Sequence, residues 1–237
     1  TLSVAAPPTR IGDAAAVKRG RELLDLAVKS VGGEEVLGKL VSVRAEATST
    51  AKEGGKDHTN RKAWTGRFPA DFRLDDNWND SRWAAVATGA DAFLATDEVW
   101  SMHAQQREAL EKEFRHQPLV ILRSRARADF VAAAEGGAKV NDRAVEYVAV
   151  SFGGTTTRLA VDVENGRIQS ASFRGRGPTL ALGDVRLDFR EFETIESISI
   201  ATRWTGHFNG QAAIKLDRKL DRVLVNSTLD PGTFDRP

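Results

Sequence analysis

A period of two governs the stretch 144–193. Residues 144–152 carry Val148, Val150 and Phe152 at alternate positions, with Tyr147, Ala149 and Ser151 between them. Successive side chains of a strand point to opposite faces, so this reads as a strand with one apolar face. Gly153-Gly154 then permits a tight reversal, because glycine reaches positive φ without a Cβ clash. Stretch 155–163 sets Thr157, Leu159, Val161 and Val163 on one face, with Arg158 and Asp162 on the other. Asn165-Gly166 is a strong two-residue hairpin signal. Residues 167–174 return, and 185–193 places Val185, Leu187 and Phe189 opposite Arg186, Asp188 and Arg190. An antiparallel meander patterned this way has to be covered on its apolar side. The rest of the chain is read as that cover and as the other half of the sheet.

The composition of the 237 residues, 41% hydrophobic and 28% charged, fits a globular protein with a substantial core and argues against disorder. A formal net charge of +1 supplies no global field to recruit nucleic acid or an anionic membrane. No run approaches the ~20 apolar residues that a membrane-spanning helix needs. The absence of cysteine excludes disulfides, thiol catalysis and thiolate metal ligation, and with them a lipid-attachment cysteine. Residues 1–12, opening TLSVAAPPT, are small, proline-containing and unpatterned, and read as a processed N-terminus or a linker. A removed signal peptide and a piece of a longer protein both give that pattern.

In chain order, 11–31 predicts a helix. Asp13 is its N-cap, Val17, Leu23, Leu24, Ala27 and Val31 form its apolar stripe, and Gly32-Gly33 ends it. A helical turn at 34–39 leads into a strand over 41–49. After a polar loop at 52–58 come strands at 59–66 and 70–78, separated by Phe68-Pro69, and a hairpin of 83–88 with 92–102. The period changes at 105–127, which predicts two helical pieces broken at Gln117-Pro118. Strand character returns at 128–134 and 139–142. A hairpin of 198–204 with 211–224 closes the pattern. Residues 13–237 therefore read as one α+β domain, mostly antiparallel, with about ten strands, an N-terminal helix and a mid-chain helical segment.

Four local sequences in this order are similar to a known group. They are Leu23 to Val43 (LLDLAVKSVGGEEVLGKLVSV), Ala63 to Arg73 (AWTGRFPADFR), Thr88 to Trp100 (TGADAFLATDEVW) and Val223 to Pro237 (VLVNSTLDPGTFDRP). The chain resembles the LolA/LolB-like lipoprotein-carrier superfamily, especially the branch found alone or appended to insulinase-like zinc peptidases. That resemblance implies a curved open half-barrel wrapped around its helices, a periplasmic or secreted location and an apolar cavity for acyl chains. It departs from the carriers at two places. Phe68 stands where they place an arginine before proline, with Arg67 one residue earlier, and a one-residue slip turns a side chain to the opposite face. Ser197-Ile198-Ser199-Ile200 replaces the Gly-x-x-x-Pro expected before the last hairpin.

Catalytic motifs are absent. The histidines are His58, His103, His116 and His207, and no two have zinc-helix spacing. His103 and His116, with Glu108, Glu111 and Glu113 nearby, read as a solvated helix face. There is no Gly-x-Ser-x-Gly, and Gly153-Gly154 and Gly175-Arg176-Gly177 are hairpin glycines without the features of a phosphate loop. Asp75 and Asp76 point to opposite faces of a strand and cannot share a proton. Arg123, Arg125, Arg127, Arg174 and Arg176 read as a salt-bridged surface.

The aromatics carry more information. Trp64, Phe68, Phe72, Trp78, Trp83, Phe93 and Trp100 concentrate in the first half-sheet. They are core packing in a closed fold. In the half-barrel that the resemblance implies, Trp64, Phe68, Phe72, Phe93 and Trp100 line a cavity and Arg67 gates its mouth. The expectation is a monomeric, non-catalytic binding protein for a lipid or the acyl chains of a lipoprotein, with no cofactor, metal or nucleic acid. The alternative is an accessory domain with a closed core whose partner is a protein, a peptidase among the candidates.

Overall fold

The computed structural model describes residues 13–53, 56–78, 81–140, 142–177, 181–213 and 216–236. The expected processed segment 1–12 lies outside them. The described residues form two compact units, one from the chain up to Gly38 with Arg115–Asp217, the other from Lys39–Phe114 with Arg218–Pro237. Elements are numbered along the chain.

The first unit holds α1 (Ala14–Ser30), α2 (Glu34–Gly38), α4 (Pro118–Arg123), a 3-10 turn (Ser124–Ala126), and strands β7 (Val131–Val140), β8 (Arg143–Phe152), β9 (Thr155–Asp162), β10 (Ile168–Arg176), β11 (Leu182–Ile195), β12 (Ile198–Phe208) and β13 (Gln211–Ala212). Strands β7 to β12 lie side by side in sequence order, all antiparallel, with β13 paired to β12. The Asp13 carboxylate accepts from the Ala15 amide at 2.9 Å and starts α1, and Gly32 and Gly33, both at positive φ, stop it. Helix α1 buries Gly20, Leu23, Leu24, Ala27 and Val28, mainly against β7. Gly20 lets the helix approach, since a Cβ there would stand 2.9 Å from the Ala132 backbone. Beneath it, Val148, Leu159 and Ala171 share one row across β8, β9 and β10 at no solvent exposure. Each such side chain, Ala excepted, contributes roughly 1.5–3 kcal/mol through burial.

The second unit holds β1 (Ser42–Glu53), β2 (Lys56–Arg67), β3 (Asp71–Trp78), β4 (Ser81–Ala87), β5 (Ala92–Ala95), β6 (Val99–Ser101), nearly all of α3 (Ala104–Arg115) and β14 (Arg218–Val225). The strand order is β6-β5-β4-β3-β2-β1-β14, antiparallel throughout. Strand β14 is stitched to β1 at its end by Asn226, which sits at φ 49°. The Asn226 side-chain oxygen accepts from the Val41 and Ser42 amides at 2.7 and 3.3 Å, and its amide donates to the Lys39 carbonyl at 3.2 Å.

The class is the expected α+β with a mostly antiparallel, open sheet, built among the described residues from fourteen strands instead of about ten. Four differences have local causes. Segment 92–102 is two strands, because Thr96 and Glu98 bond across a turn that brings Leu94 opposite Trp100. Segment 128–142 holds a single strand, β7, with a register shift between Ala134 and Gly136. The expected single strand 211–224 is two, Gln211–Ala212, which pairs with β12, and Arg218–Val225, whose residues from Leu220 on pair with β1. Asp162 is buried at the end of β9, where its carboxylate accepts from the Glu164 amide and the Asn165 side chain and fixes the Asn165-Gly166 turn.

Candidate functional site

Cross-strand partners in an antiparallel sheet share a face, so register alone sorts the side chains of the second unit. One row reads Val223, Ala45, Trp64, Leu74, Ala85, Leu94 and Trp100, one residue from each of seven strands. Two residues along lies Val225, Val43, Gly66, Phe72, Ala87 and Ala92. Both rows are apolar from end to end. Helix α3 covers part of this face through Phe114, whose ring stacks on Phe72 at 4.8 Å and lies 6.1 Å from Phe68. Gly66 makes room for it, because a Cβ there would come 2.8 Å from the Phe114 ring. On the other side of the Trp64 row stand Lys62, Asp76 and Trp83. The buried Asp76 carboxylate accepts from Lys62 at 2.8 Å and from the Asn60 amide at 2.6 Å, so the charge is paired and bonded where the apolar surface ends.

Four of the expected lining residues therefore share this face. Phe72 is 2% exposed and Phe68 half-buried, both beneath Phe114, while Trp64 is half-buried and Trp100 is 58% exposed at the edge strand β6. Arg67 and Phe93 stand on the opposite face. Arg67 pairs with Asp71 at 2.6 Å and lies 4.6 Å over the ring of Phe234. Phe93 is buried with Val86 and Phe234 under the C-terminal segment, which Arg236 fastens to Asp91 and Ser101. The one-residue slip at Arg67 thus has the consequence that strand geometry requires. Leu74, Leu94 and Phe114 were not singled out from the sequence. Leu74 is two residues from Phe72, which is a signal for the same face, whereas nothing local assigns Phe114 to this sheet.

The remaining polar candidates resolve as structure. His116 is buried, its Nδ1 2.7 Å from the Thr157 hydroxyl and its ring stacked 4.0 Å from Phe173, so it is a core histidine instead of part of a solvated helix face. Glu111 pairs with Arg107 and Glu108 with Lys112 along α3. Arg125 bridges Asp25 and Glu34, Arg127 pairs with Asp129, and Arg174 lies 3.7 Å from Asp184, which is the salt-bridged surface expected. The Asp129 carboxyl is held down at about 2, first by the Arg127 guanidinium and then by the Gly153 amide. Among the described residues no group of three acidic or histidine side chains could hold a metal ion. No helix there is long and apolar enough to cross a membrane.

No protein-family model matches the sequence, and no curated protein matches it at a significant level. Solved structures do. A DUF1329 family protein from Desulfovibrio piger superposes with a TM-score of 0.59 at 13% identity, over 93% of this chain and 97% of that one. A LolA superfamily protein from Nitrosomonas europaea gives 0.59 at 13%, over 92% and 97%. A putative outer membrane lipoprotein-sorting protein domain from Vibrio parahaemolyticus gives 0.55 at 11%, over 92% and 97%. The chain has the fold of these three proteins along nearly its whole length.

Proposed function

We propose that the protein is a non-catalytic binding protein that takes the acyl part of a lipid or lipoprotein on the α3-bearing face of its second unit. The observation that carries this is the row from Val223 to Trp100, apolar across seven strands and ending in a tryptophan that is 58% exposed. Binding sites for apolar ligands are predominantly apolar with a few placed polar groups, and here Lys62 and Asp76 border the apolar rows. Trp64, Leu94 and Trp100 form the accessible part of the lining, with Leu74 buried between them and Phe68 and Phe72 at the end that Phe114 covers. The likeness to a lipoprotein-sorting domain supports both the ligand class and a periplasmic location, although fold by itself does not carry function. Binding proceeds by burial of acyl surface, about 0.8 kcal/mol per methylene removed from water, without covalent chemistry. The N-terminal and central helices and both sheets act as one domain in this reading.

One observation favours the alternative of an accessory domain with a closed core: Phe72, stacked under Phe114, is 2% exposed, and Leu74 in the neighbouring row is 6% exposed. Titration with a fluorescent fatty acid separates the two. Saturable binding that quenches tryptophan emission and is lost in Trp100→Ser with Leu94→Ser supports the carrier. Absence of displaceable binding, together with no lipid in an organic extract of the purified protein, sinks it.

A further inference from the structure

The opposite face of the same sheet carries a polar groove of about 330 Å³. Its floor is Ala63, a short side chain flanked by Glu46 and Asp75 on the neighbouring strands. The next positions on either side are Thr48, Arg61 and Asn77 in one direction and Arg44, Thr65 and Arg73 in the other. A methyl group thus sits at the centre of a ring of longer polar side chains, and that difference in length makes the depression.

Most of the charge in the ring is already matched. Arg44 donates to Glu46 at 2.7 Å, and Arg73 grips both oxygens of Asp75 at 2.9 and 3.0 Å while donating to the Thr233 carbonyl at 2.8 Å. Two groove-lining charges have no ion pair among the described residues, and they are of opposite sign. One is Arg61 on β2. The other is Asp221 on β14, which reaches the groove because the register of β1 against β14 shifts at Glu46 and Ala47, opposite Arg222 and Leu220. Asp221 is the extra residue of that bulge. Bulges re-aim single side chains and are over-represented beside binding sites. With strands about 4.8 Å apart, the backbones of Arg61 and Asp221 are separated by about 10 Å, and both side chains are exposed.

We infer that this groove is a second binding site, on the face away from the acyl-binding rows, for a small zwitterion. Its oxyanion meets the Arg61 guanidinium and its ammonium meets the Asp221 carboxylate. Guanidinium offers a planar fork of donors that fits phosphate and carboxylate. The Arg44–Glu46 and Arg73–Asp75 pairs line the walls without adding net charge, so a zwitterion is matched where a simple anion or a simple cation leaves one wall charge unanswered. Thr48 and Asn77 supply neutral hydrogen-bonding groups beside Arg61. The same chemistry occurs in a soluble amino-phosphate and in an ethanolamine phospholipid head group.

The test is calorimetric titration of the full chain with phosphoethanolamine, inorganic phosphate and ethanolamine, backed by co-sedimentation with vesicles of phosphatidylethanolamine in phosphatidylcholine. Phosphoethanolamine is expected to bind about tenfold or more tightly than either fragment, because each charge-assisted bond is worth about that factor. Arg61→Gln should lose about tenfold in affinity, and Asp221→Asn should erase the preference for phosphoethanolamine over phosphate. Trp100→Ser should leave these values unchanged, which keeps this result separate from that of the acyl site. Binding of the free compound alone assigns a soluble ligand, and binding of both assigns a head group as well. Equal affinity for all three compounds, or variants that bind like the parent, overturns the inference.

Discussion

The two units solve one problem in different ways. Both are antiparallel sheets with an apolar face, yet the first is roofed by the seventeen-residue α1 and the second is met by the twelve-residue α3, which buries only Leu110 and Phe114. In the first, Gly20 lets α1 settle on the β7 backbone, and Val148, Leu159 and Ala171 beneath are fully buried. In the second, Phe72, Leu74 and Ala85 are buried, and the Trp64 row runs on to an exposed Trp100 at the edge strand. Covered rows hold a fold together, whereas an uncovered continuation of the same rows is available to something else.

Four measurements test this difference between the units. Phe72→Ala should cost about 4 kcal/mol in urea unfolding, since it removes the contact under Phe114 and leaves a cavity. Gly20→Val should cost about 3 kcal/mol through overpacking of α1 on β7, consistent with the position a Cβ would occupy. Trp100→Ser should change stability by no more than about 0.5 kcal/mol while abolishing fatty-acid probe binding. A loss like that of Phe72 would mean the row is closed at its end as well. The smallest effect belongs to Asp129. Its folded value lies at about 2, below the ordinary 3.8, so the stabilisation is complete above about pH 4 and is lost as pH falls through 2. Asp129→Asn should therefore destabilise slightly at pH 7 and progressively less as pH falls through 2, in parallel unfolding curves.

Much of this was legible in the chain, where local chemistry decides the outcome. Asp13 and Gly32-Gly33 bound α1 as expected, Pro118 starts α4 after the break, and Gly153-Gly154 turns β8 into β9. The apolar side of the meander was evident from Val148, Val150 and Leu159. What escaped was decided at a distance. Residues 211–224 read as one strand that pairs with its neighbour in sequence, yet they hold two, and nothing local says that the second, β14, takes β1, far away in the chain, as a partner. The stretch Ala92–Ala95 is apolar at every position, so nothing local says that Leu94 joins Trp64 while Phe93 turns to the other face; the C-terminal Phe234 makes that second face apolar. The lining and the groove share this lesson, since the first needed the register of seven strands and the second that of four.

The Asn226 stitch bears on how the molecule is made. Unit two takes its last strand from residues 218–225, after the whole of unit one has been synthesised. Until then β1 presents an unpaired edge to the growing chain and its neighbours, the state in which sheets recruit the wrong strand. The Asn226 side chain closes that interval by taking hold of Val41 and Ser42. A ribosome-bound intermediate that lacks it should be the one that chaperones hold and proteases cut.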